Sequence, residues 1–295
     1  MPVNTEQFLG LSGRECDYRR ARYAILPVPY DATSSFRTGS RAGPQAVISA
    51  SYQLEDFDEE YGREFLSCGI ATLPPMEPNT AGPAEMHENI YRAARRLVRD
   101  GKFLIGLGGE HAISAGLVRA VRSRYKKLSV LQIDAHADFR DQYQGSPFSH
   151  ACVMRRVWEL GVPVTAVGIR SYSLEEHRFM RKNRLAPVTA RQAFEDPDWI
   201  VHAVESLSSK VYVTVDIDGF DPAYAPGTGS PEPGGLDWFQ VSDLLMATAQ
   251  HKEIVAADVT EVLPLPGSVQ TEFLAARLVY KLIAHVEANR AEAKK

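Results

Sequence analysis

Six short apolar segments limit most strongly how this chain of 295 residues can fold. They are nonpolar almost throughout, rather than alternating between polar and nonpolar residues, which is typical of strands covered on both faces. The segments are YAILPVPY (23–30), FLIGLG (103–108), LSVLQID (128–134), VTAVGIR (164–170), KVYVTVDID (210–218) and EIVAADVTEV (253–262). Strands of this kind belong to parallel sheets packed between helices, so the pattern predicts an α/β protein.

Segments with helical spacing of apolar residues lie between or after these strands. They cover residues 85–100, 113–125 and 271–288. The alternation predicts three layers, with a central and mostly parallel sheet between two layers of helices. The Pro-rich segment 73–86 is interpreted as a surface loop rather than a domain boundary, because the polar motifs that follow it need one shared sheet. We expect a single domain over 1–295, with an N-terminal extension at 1–20 and a charged tail at 285–295.

Composition excludes several classes of partner. The net charge is -4, the pI is about 6.1, and no basic stripe indicates binding to nucleic acid or to a membrane surface. Cys16, Cys68 and Cys152 have no C-x-x-C spacing, so free thiols in a reducing compartment are expected. Neither a signal peptide nor an apolar stretch of membrane-spanning length is recognisable, and we expect a cytoplasmic protein.

The third apolar segment ends in acid, within LQIDAHADFRD (131–141). Asp134, His136 and Asp138 have a spacing of two, so their side chains project the same way if the strand geometry persists. Two carboxylates and an imidazole at one point form a typical metal-ligand set. Taken by itself, the motif is equally compatible with solvated acids at a strand end. Asp141 lies outside the pattern and is expected to be a loop residue.

A second acidic pair, Asp216 and Asp218, closes the strand KVYVTV. An Asx-type turn before Pro222 accounts for Asp221 but poorly for Asp216, which follows a fully apolar run. Two acidic strand ends would repel each other unless a cation lies between them.

The third motif is GLGGEHAIS (106–114). It fails the G-x-G-x-x-G phosphate pattern, because His111 occupies the last glycine position. The glycine pair allows a tight turn that brings His111 to the sheet edge. A single histidine there would usually be structural, but beside two acidic strand ends it becomes a candidate ligand.

The candidate ligands together exceed the needs of one catalytic zinc ion. They are His111, Asp134, His136, Asp138, Asp216 and Asp218. Carboxylates and imidazoles without a thiolate suit two harder ions such as Mn²⁺, although nickel, cobalt, iron or zinc could use similar ligands. Paired metals typically activate a shared water as a nucleophile.

The motifs resemble those of the ureohydrolases, the family of arginases and agmatinases. The resemblance rests on GGEHAIS, DAHADFRD, SHACVMRR, DIDGFDPAYAPGTGSPEPGGL, DVTEV and the upstream PYDATSSFRTGSRAGPQAVISAS, and runs from about Tyr23 to about Ala284. It implies an arginase-type α/β/α fold, two Mn²⁺ ions and a homo-oligomer, either a trimer or a hexamer. It also implies that one metal takes His111, Asp134, Asp138 and Asp216, and that the other takes His136, Asp134, Asp216 and Asp218.

The resemblance implies two further site residues. His150 would act as a proton shuttle or general acid, which suits a side chain that ordinarily titrates near neutral pH. Glu261 would bind the guanidinium group of the substrate, since a carboxylate matches that planar cation. A surface histidine and an ordinary acid at a strand end are the alternatives for these two positions.

The implied reaction is hydrolysis of a linear guanidino compound, with agmatine giving putrescine and urea as the preferred case. Aminopropylagmatine, guanidinobutyrate and arginine remain open as substrates, and Arg140, in D-F-R where arginases typically have D-x-N, would suit the carboxylate of guanidinobutyrate. Two readings from other classes also remain. One is a thiol hydrolase that uses Cys152, and the other is an inactive scaffold that binds a partner.

Overall fold

A single parallel sheet of eight strands organises residues 1–292, the part of the chain described by the computed structural model. The strands are β1 (Tyr23–Val28), β2 (Phe57–Asp58), β3 (Arg63–Glu64), β4 (Ile70–Thr72), β5 (Phe103–Gly108), β6 (Leu128–Ile133), β7 (Val164–Ile169), β8 (Val188–Thr189), β9 (Lys210–Asp216) and β10 (Glu253–Thr260). The sheet has the order β4-β1-β5-β10-β9-β6-β7-β8, and β2 and β3 form a separate antiparallel hairpin. The six predicted strands are confirmed, whereas the short edge strands β4 and β8 were not predicted.

Helices cover both faces of the sheet. They are α1 (Gly43–Ser51), α2 (Pro83–Arg99), α3 (Ile113–Arg124), α4 (Val153–Glu159), α5 (Leu174–Lys182), α6 (Ala190–Glu195), α7 (Trp199–Ser206), α8 (Trp238–His251) and α9 (Gln270–Glu292). One hydrophobic cluster joins the sheet to α1, α7, α8 and α9, and a second joins it to α2, α3 and α4. The predicted three-layer α/β/α architecture is confirmed.

Successive residues of β1 illustrate why the strands are apolar throughout. Tyr23 and Ile25 lie in the first cluster, and Ala24 and Leu26 lie in the second. Because side chains alternate across a strand, a strand buried on both faces needs nonpolar residues at every position.

The two ends of the chain pack against this core. Phe8 is fully buried, and the Gln7 side chain exchanges hydrogen bonds with the backbone of Thr72 on the edge strand β4. Helix α9 continues through residues 285–292, and His285 is fully buried. Residues 293–295 of the expected charged tail lie outside the described residues, and the division of the chain into domain, extension and tail stays a prediction. No helix within residues 1–292 combines the length and the apolar character needed to cross a membrane.

Candidate metal centre

The candidate ligands lie at the carboxyl ends of neighbouring strands in the middle of the sheet. His111 follows β5, Asp134 follows β6, and Asp216 ends β9. Strand β10, which carries Glu261 just beyond its end, lies between β5 and β9. Parallel strands place their carboxyl ends at the same edge, which is where ligands bind in sheets of this type.

His111 is the centre of the first cluster. Its Nδ1 atom lies 3.1 Å from Asp134 Oδ2, 3.1 Å from Asp138 Oδ2 and 3.5 Å from Asp216 Oδ2. All four side chains are buried. The sequence motifs that predicted these ligands therefore converge on one point.

His136 is the centre of the second cluster. Its Nδ1 atom lies 3.0 Å from Asp218 Oδ2 and 3.8 Å from Asp134 Oδ1. Asp134 takes part in both groups of residues whose ligand atoms lie close enough to hold a metal ion. The geometry is that of two adjacent sites with one shared carboxylate.

Backbone amides fix one oxygen of each central aspartate. His136 N donates to Asp134 Oδ1 at 2.6 Å, Asp218 N donates to Asp216 Oδ1 at 3.0 Å, and Ala135 N donates to Asp218 Oδ1 at 3.1 Å. The opposite oxygen, Oδ2, approaches a histidine in each case. The spacing of two residues therefore has two effects. It brings both side chains of each pair to the same site, and it lets the backbone N–H of the second residue orient the carboxylate of the first.

A buried hydrogen-bond chain orients His111. Thr214 Oγ1 donates to Asp258 Oδ1 at 2.6 Å, and Tyr212 OH donates to Asp258 Oδ2 at 2.5 Å. The hydroxyl of Thr214 is therefore free to accept from His111 Nε2, which lies 2.9 Å away. This arrangement favours a proton on Nε2 and directs Nδ1 into the first cluster, the orientation that metal-binding histidines require.

Burial and neighbouring carboxylates raise the pKa of two carboxyl groups, although His111 lies beside both. The pKa of Asp138 is raised to about 7, first by burial and then by the charge of Asp134. The pKa of Asp216 is raised well above its usual value by burial and by the nearby carboxylates of Asp218 and Asp134. Within residues 1–292, only histidines form ion pairs with these aspartates, and no lysine or arginine does. A donor set of this composition and charge fits divalent cations.

Glu261 lies beside the first cluster. Its backbone N–H donates to Gly109 O at 2.7 Å, and its Oε1 atom accepts from His111 N at 2.7 Å. Burial, together with the charge of Glu110, raises the pKa of Glu261 to about 8. The side chain lines the same cleft as Asp138 and Asp216, and no hydrogen bond to its Oε2 atom is made within residues 1–292.

His150 lies on the wall of this cleft and differs from the expectation in one respect. Its backbone N–H donates to Thr33 Oγ1 at 3.0 Å, and its ring atoms Nδ1 and Nε2 lie 3.4 Å from Thr33 Oγ1 and Ser35 Oγ. Burial lowers the pKa of His150 to about 4. The ring is therefore neutral at pH 7, whereas its interpretation as a general acid assumed titration near neutral pH.

The cleft above the clusters has a volume of about 510 Å³ and acidic walls. The residues that line it include four members of the clusters and further charged side chains: His136, Asp138, Asp216, Asp218, Glu176, Glu232, Glu261, Arg37 and Arg140. Arg140 Nε lies 3.8 Å from Glu176 Oε2, and its guanidinium lies 4.9 Å from the centre of the Tyr143 ring. Sequence reasoning identified Arg140 but missed the carboxylate beside it.

Three further residues considered from the sequence lie outside the clusters. Asp141 is an exposed acid that pairs with Arg156, and Asp221 accepts from the backbone N–H of Ala223 in the expected Asx turn. Cys152 is fully buried and does not line the cleft, and burial raises the pKa of its thiol to about 12. A thiol in this state is a poor nucleophile, so the geometry argues against the thiol hydrolase.

The fold and the clusters together define an α/β protein with a candidate site for two metal ions. The sequence model of the arginase family matches residues 21–285. The chain therefore belongs to the arginase family, as its motifs predicted.

Relatives with named activities cover nearly the whole chain. An N(1)-aminopropylagmatine ureohydrolase of Synechocystis sp. is 42% identical over 275 residues, which are 91% of this chain and 90% of that protein. An agmatinase of Pyrococcus horikoshii is 35% identical over 272 residues, covering 90% of this chain and 93% of that protein. The crystal structure of an agmatine ureohydrolase of Thermoplasma volcanium superposes with a TM-score of 0.88 at 34% identity, covering 98% of this chain and 97% of that one.

Proposed function

We propose that this chain is a two-metal hydrolase that cleaves a linear guanidino compound to an amine and urea. One observation carries the proposal. Two ligand clusters share the fully buried Asp134, their members His136, Asp138, Asp216 and Asp218 line an acidic cleft, and the carboxylate of Glu261 lies in that cleft beside them. Relatives named as ureohydrolases and agmatinases support the same reaction class.

Each metal would take one histidine, and both would take Asp134, which the two clusters share, and Asp216, which lies in the first cluster. The first site comprises His111, Asp134, Asp138 and Asp216, and the second comprises His136, Asp134, Asp216 and Asp218. Mn²⁺ is the proposed ion at both sites, because the donors are carboxylates and imidazoles without a thiolate. When bound, such a metal pair lowers the pKa of water and stabilises negative charge that develops on the substrate.

Glu261 would orient the guanidinium group. Its Oε1 atom already accepts from His111 N, so Oε2 is the oxygen that accepts from a substrate N–H. The positive charge of the guanidinium favours the ionised form of Glu261 and opposes the effect of burial on its pKa. The interaction fixes the central carbon of the substrate over the floor of the cleft.

Asp138 and His150 would handle protons. The carboxylate of Asp138, which lines the cleft beside the proposed metals, would accept the proton that the attacking water loses. His150 is neutral and has a hydroxyl group near each ring nitrogen, from Thr33 and Ser35. We propose that His150 passes a proton to the leaving amine through its neutral ring. It would not act as an imidazolium that is already protonated before the reaction.

Agmatine is the first candidate substrate, because its positively charged tail suits a cleft lined by Glu176 and Glu232 and because agmatinases are among the relatives. N(1)-aminopropylagmatine is the second candidate, and the Synechocystis relative favours it. Putrescine or a longer polyamine would then be the amine product. A cytoplasmic homo-oligomer that serves polyamine synthesis completes the proposal.

A urea-release screen tests this function. Purified protein loaded with Mn²⁺ is given agmatine, N(1)-aminopropylagmatine, arginine or guanidinobutyrate, and urea is measured before and after treatment with EDTA. We expect urea from the first two compounds, loss of activity with EDTA, and recovery with Mn²⁺. Full activity in EDTA would favour the thiol hydrolase. Protein that binds no metal and releases no urea would favour the inactive scaffold.

A further inference from the structure

The carboxylates that line the cleft differ in how fully their hydrogen-bonding capacity is used. Glu176 accepts from Phe139 N at 3.0 Å, from Ser173 N at 2.7 Å and from Ser173 Oγ at 2.8 Å. It also lies beside Arg140 and is only 3% exposed. Glu176 is therefore committed to the helix cap of α5 and to the loop that carries Asp138.

Glu232 is different, because its carboxylate has no such partner within residues 1–292. The nearest charged group is His136, whose Nε2 atom lies 3.9 Å from Glu232 Oε1, which is too long for a hydrogen bond. The Glu232 side chain is 37% exposed and lines the cleft. It is thus an available negative charge in the cleft wall.

The loop that carries Glu232 is fixed independently of that side chain. Arg170 Nη2 donates to Glu232 O at 2.7 Å, and Arg170 Nε donates to Pro233 O at 3.2 Å. Prolines at positions 231 and 233 restrict the backbone on both sides. Less conformational entropy is therefore lost when the carboxylate engages a ligand.

The same loop also passes the proposed guanidinium site. A Cβ atom built at Gly229 would lie 3.8 Å from Glu261 Oε2, the oxygen left for the substrate. Glu232 follows Gly229 by three residues, so their backbones are at most about 10 Å apart even in fully extended chain. The loop therefore runs from the guanidinium end of the cleft to a second carboxylate within reach of a short aliphatic chain.

We infer that Glu232 binds a positively charged nitrogen in the tail of the substrate and thereby selects aliphatic guanidines that carry an amine. This inference rests on the proposed function. Glu232 would then distinguish a substrate tail that ends in an amine from one that ends in a methyl or a carboxylate group. A charge-assisted hydrogen bond from the amine to the carboxylate supplies the selectivity.

A Glu232→Gln variant tests the inference with agmatine and 1-butylguanidine, which has a chain of the same length but no amine. We expect kcat/KM for agmatine to fall by about 10- to 100-fold, mainly through KM, because one charge-assisted interaction is lost. The value for 1-butylguanidine should stay within about twofold of wild type, since that substrate makes no contact that depends on the charge.

An equal loss on both substrates would overturn the inference and would mean that Glu232 acts through His136. Bound Mn²⁺ per chain, measured in both proteins, should be unchanged by the substitution if the inference holds. Glu205→Gln is the matched control, because this exposed acid on α7 lies near the amino end of β9, at the opposite edge of the sheet. Wild-type protein that releases urea from neither compound would instead contradict the proposed function itself.

Discussion

Asp138 and Glu261 share a backbone conformation that is uncommon for residues other than glycine. Their φ angles are 56° and 61°, in the left-handed region. The carbonyl of Asp138 accepts from Met154 N and Arg155 N at the start of α4, and Glu261 N donates to Gly109 O. Such conformations persist where surrounding contacts hold them, and they concentrate at functional sites. At both residues the backbone departs from the path of the preceding segment, and the side chain is thereby directed toward the clusters.

Replacement of Glu261 by glutamine should separate substrate binding from metal binding. The amide keeps the size of the side chain but removes the charge that the guanidinium requires. We expect kcat/KM to fall by at least about 100-fold, since the charged oxygen that accepts from the guanidinium is lost. Metal content should stay at the wild-type level, because Glu261 belongs to neither ligand cluster. Near-normal turnover by this variant would contradict the proposed role, and elemental analysis with steady-state kinetics provides both measurements.

Asp134 is the residue at which both metal clusters meet. An Asp134→Asn variant should lose most of its bound Mn²⁺ at both sites, because a neutral amide replaces the shared carboxylate. Asp141→Asn is a suitable control, since this acid lies in the same segment but is exposed and pairs with Arg156. Metal analysis after dialysis should give near-zero content for the first variant and wild-type content for the second. Retention of two ions by Asp134→Asn would refute the shared-ligand arrangement.

The residues that could be predicted from sequence are those that combine a chemical type with a regular spacing. Asp134, His136 and Asp138 met both conditions. Thr214 and Asp258 could not be predicted in this way, because the residues that they contact lie far away along the chain. In addition, a hydroxyl or a single acid within an apolar strand can have many structural roles. A fully buried aspartate in a strand did offer a signal, since an acid in that environment requires hydrogen-bond donors.

At the level of elements, prediction succeeded where a strand is long enough to cross the core. Strands β5, β6 and β9 have six or seven buried or nearly buried residues, and their apolar runs are unmistakable. Strand β4 has three residues and β8 has two. Strands this short carry no periodic pattern, and they pair only because a neighbouring strand already presents its hydrogen-bonding edge.

Strand β9 links the first metal cluster to the sheet interior through Thr214. A pair of variants, one without the hydroxyl and one that keeps it, tests this link. Thr214→Val removes the hydroxyl that accepts from His111 Nε2 and donates to Asp258, whereas Thr214→Ser keeps it. We expect the valine variant to bind Mn²⁺ about 10- to 100-fold more weakly, because support of a ligand histidine is lost. Metal titration should show much smaller change for the serine variant. Equal affinities in the two variants would argue against the chain from Asp258 to His111.

On the scale of the whole molecule, α9 joins the last part of the chain to the hairpin of β2 and β3. Lys281 Nζ lies 3.0 Å from Asp58 Oδ2 and 2.9 Å from Glu60 Oε2, and it is almost fully buried. One turn further, His285 Nδ1 lies 2.8 Å from Tyr61 OH. These contacts connect residues more than two hundred positions apart, so the stability of the entire domain should respond to changes here.

His285 should make the protein less stable in mild acid. Burial and the nearby charge of Lys281 lower its pKa to about 4, from an ordinary value of about 6.5. Between these values the unfolded chain binds a proton that the folded chain does not, so stability falls as pH decreases from about 6.5 to 4. The full effect is about 3 kcal/mol for this group.

Urea unfolding of metal-free wild type and His285→Gln at pH 7.5 and pH 5 measures this effect. The free energy of unfolding should fall by about 2 kcal/mol less in the variant, because the glutamine does not titrate. His150, which also has a lowered pKa, contributes a decrease of the same sign in both proteins, so the difference between them isolates His285. Identical pH dependence in the two proteins would contradict the prediction.

Arg170 has a consequence for how enzymes with this fold can diverge. Among the described residues its hydrogen bonds all go to backbone carbonyls, and the acceptors are Gly168, Asp218, Gly219, Phe220, Glu232 and Pro233. Because no side chain of the 231–233 loop takes part, the residue at position 232 can be exchanged while the path of the loop is retained. A single substitution at this position can therefore change which amine the enzyme prefers, while the residues that break the carbon–nitrogen bond keep their places.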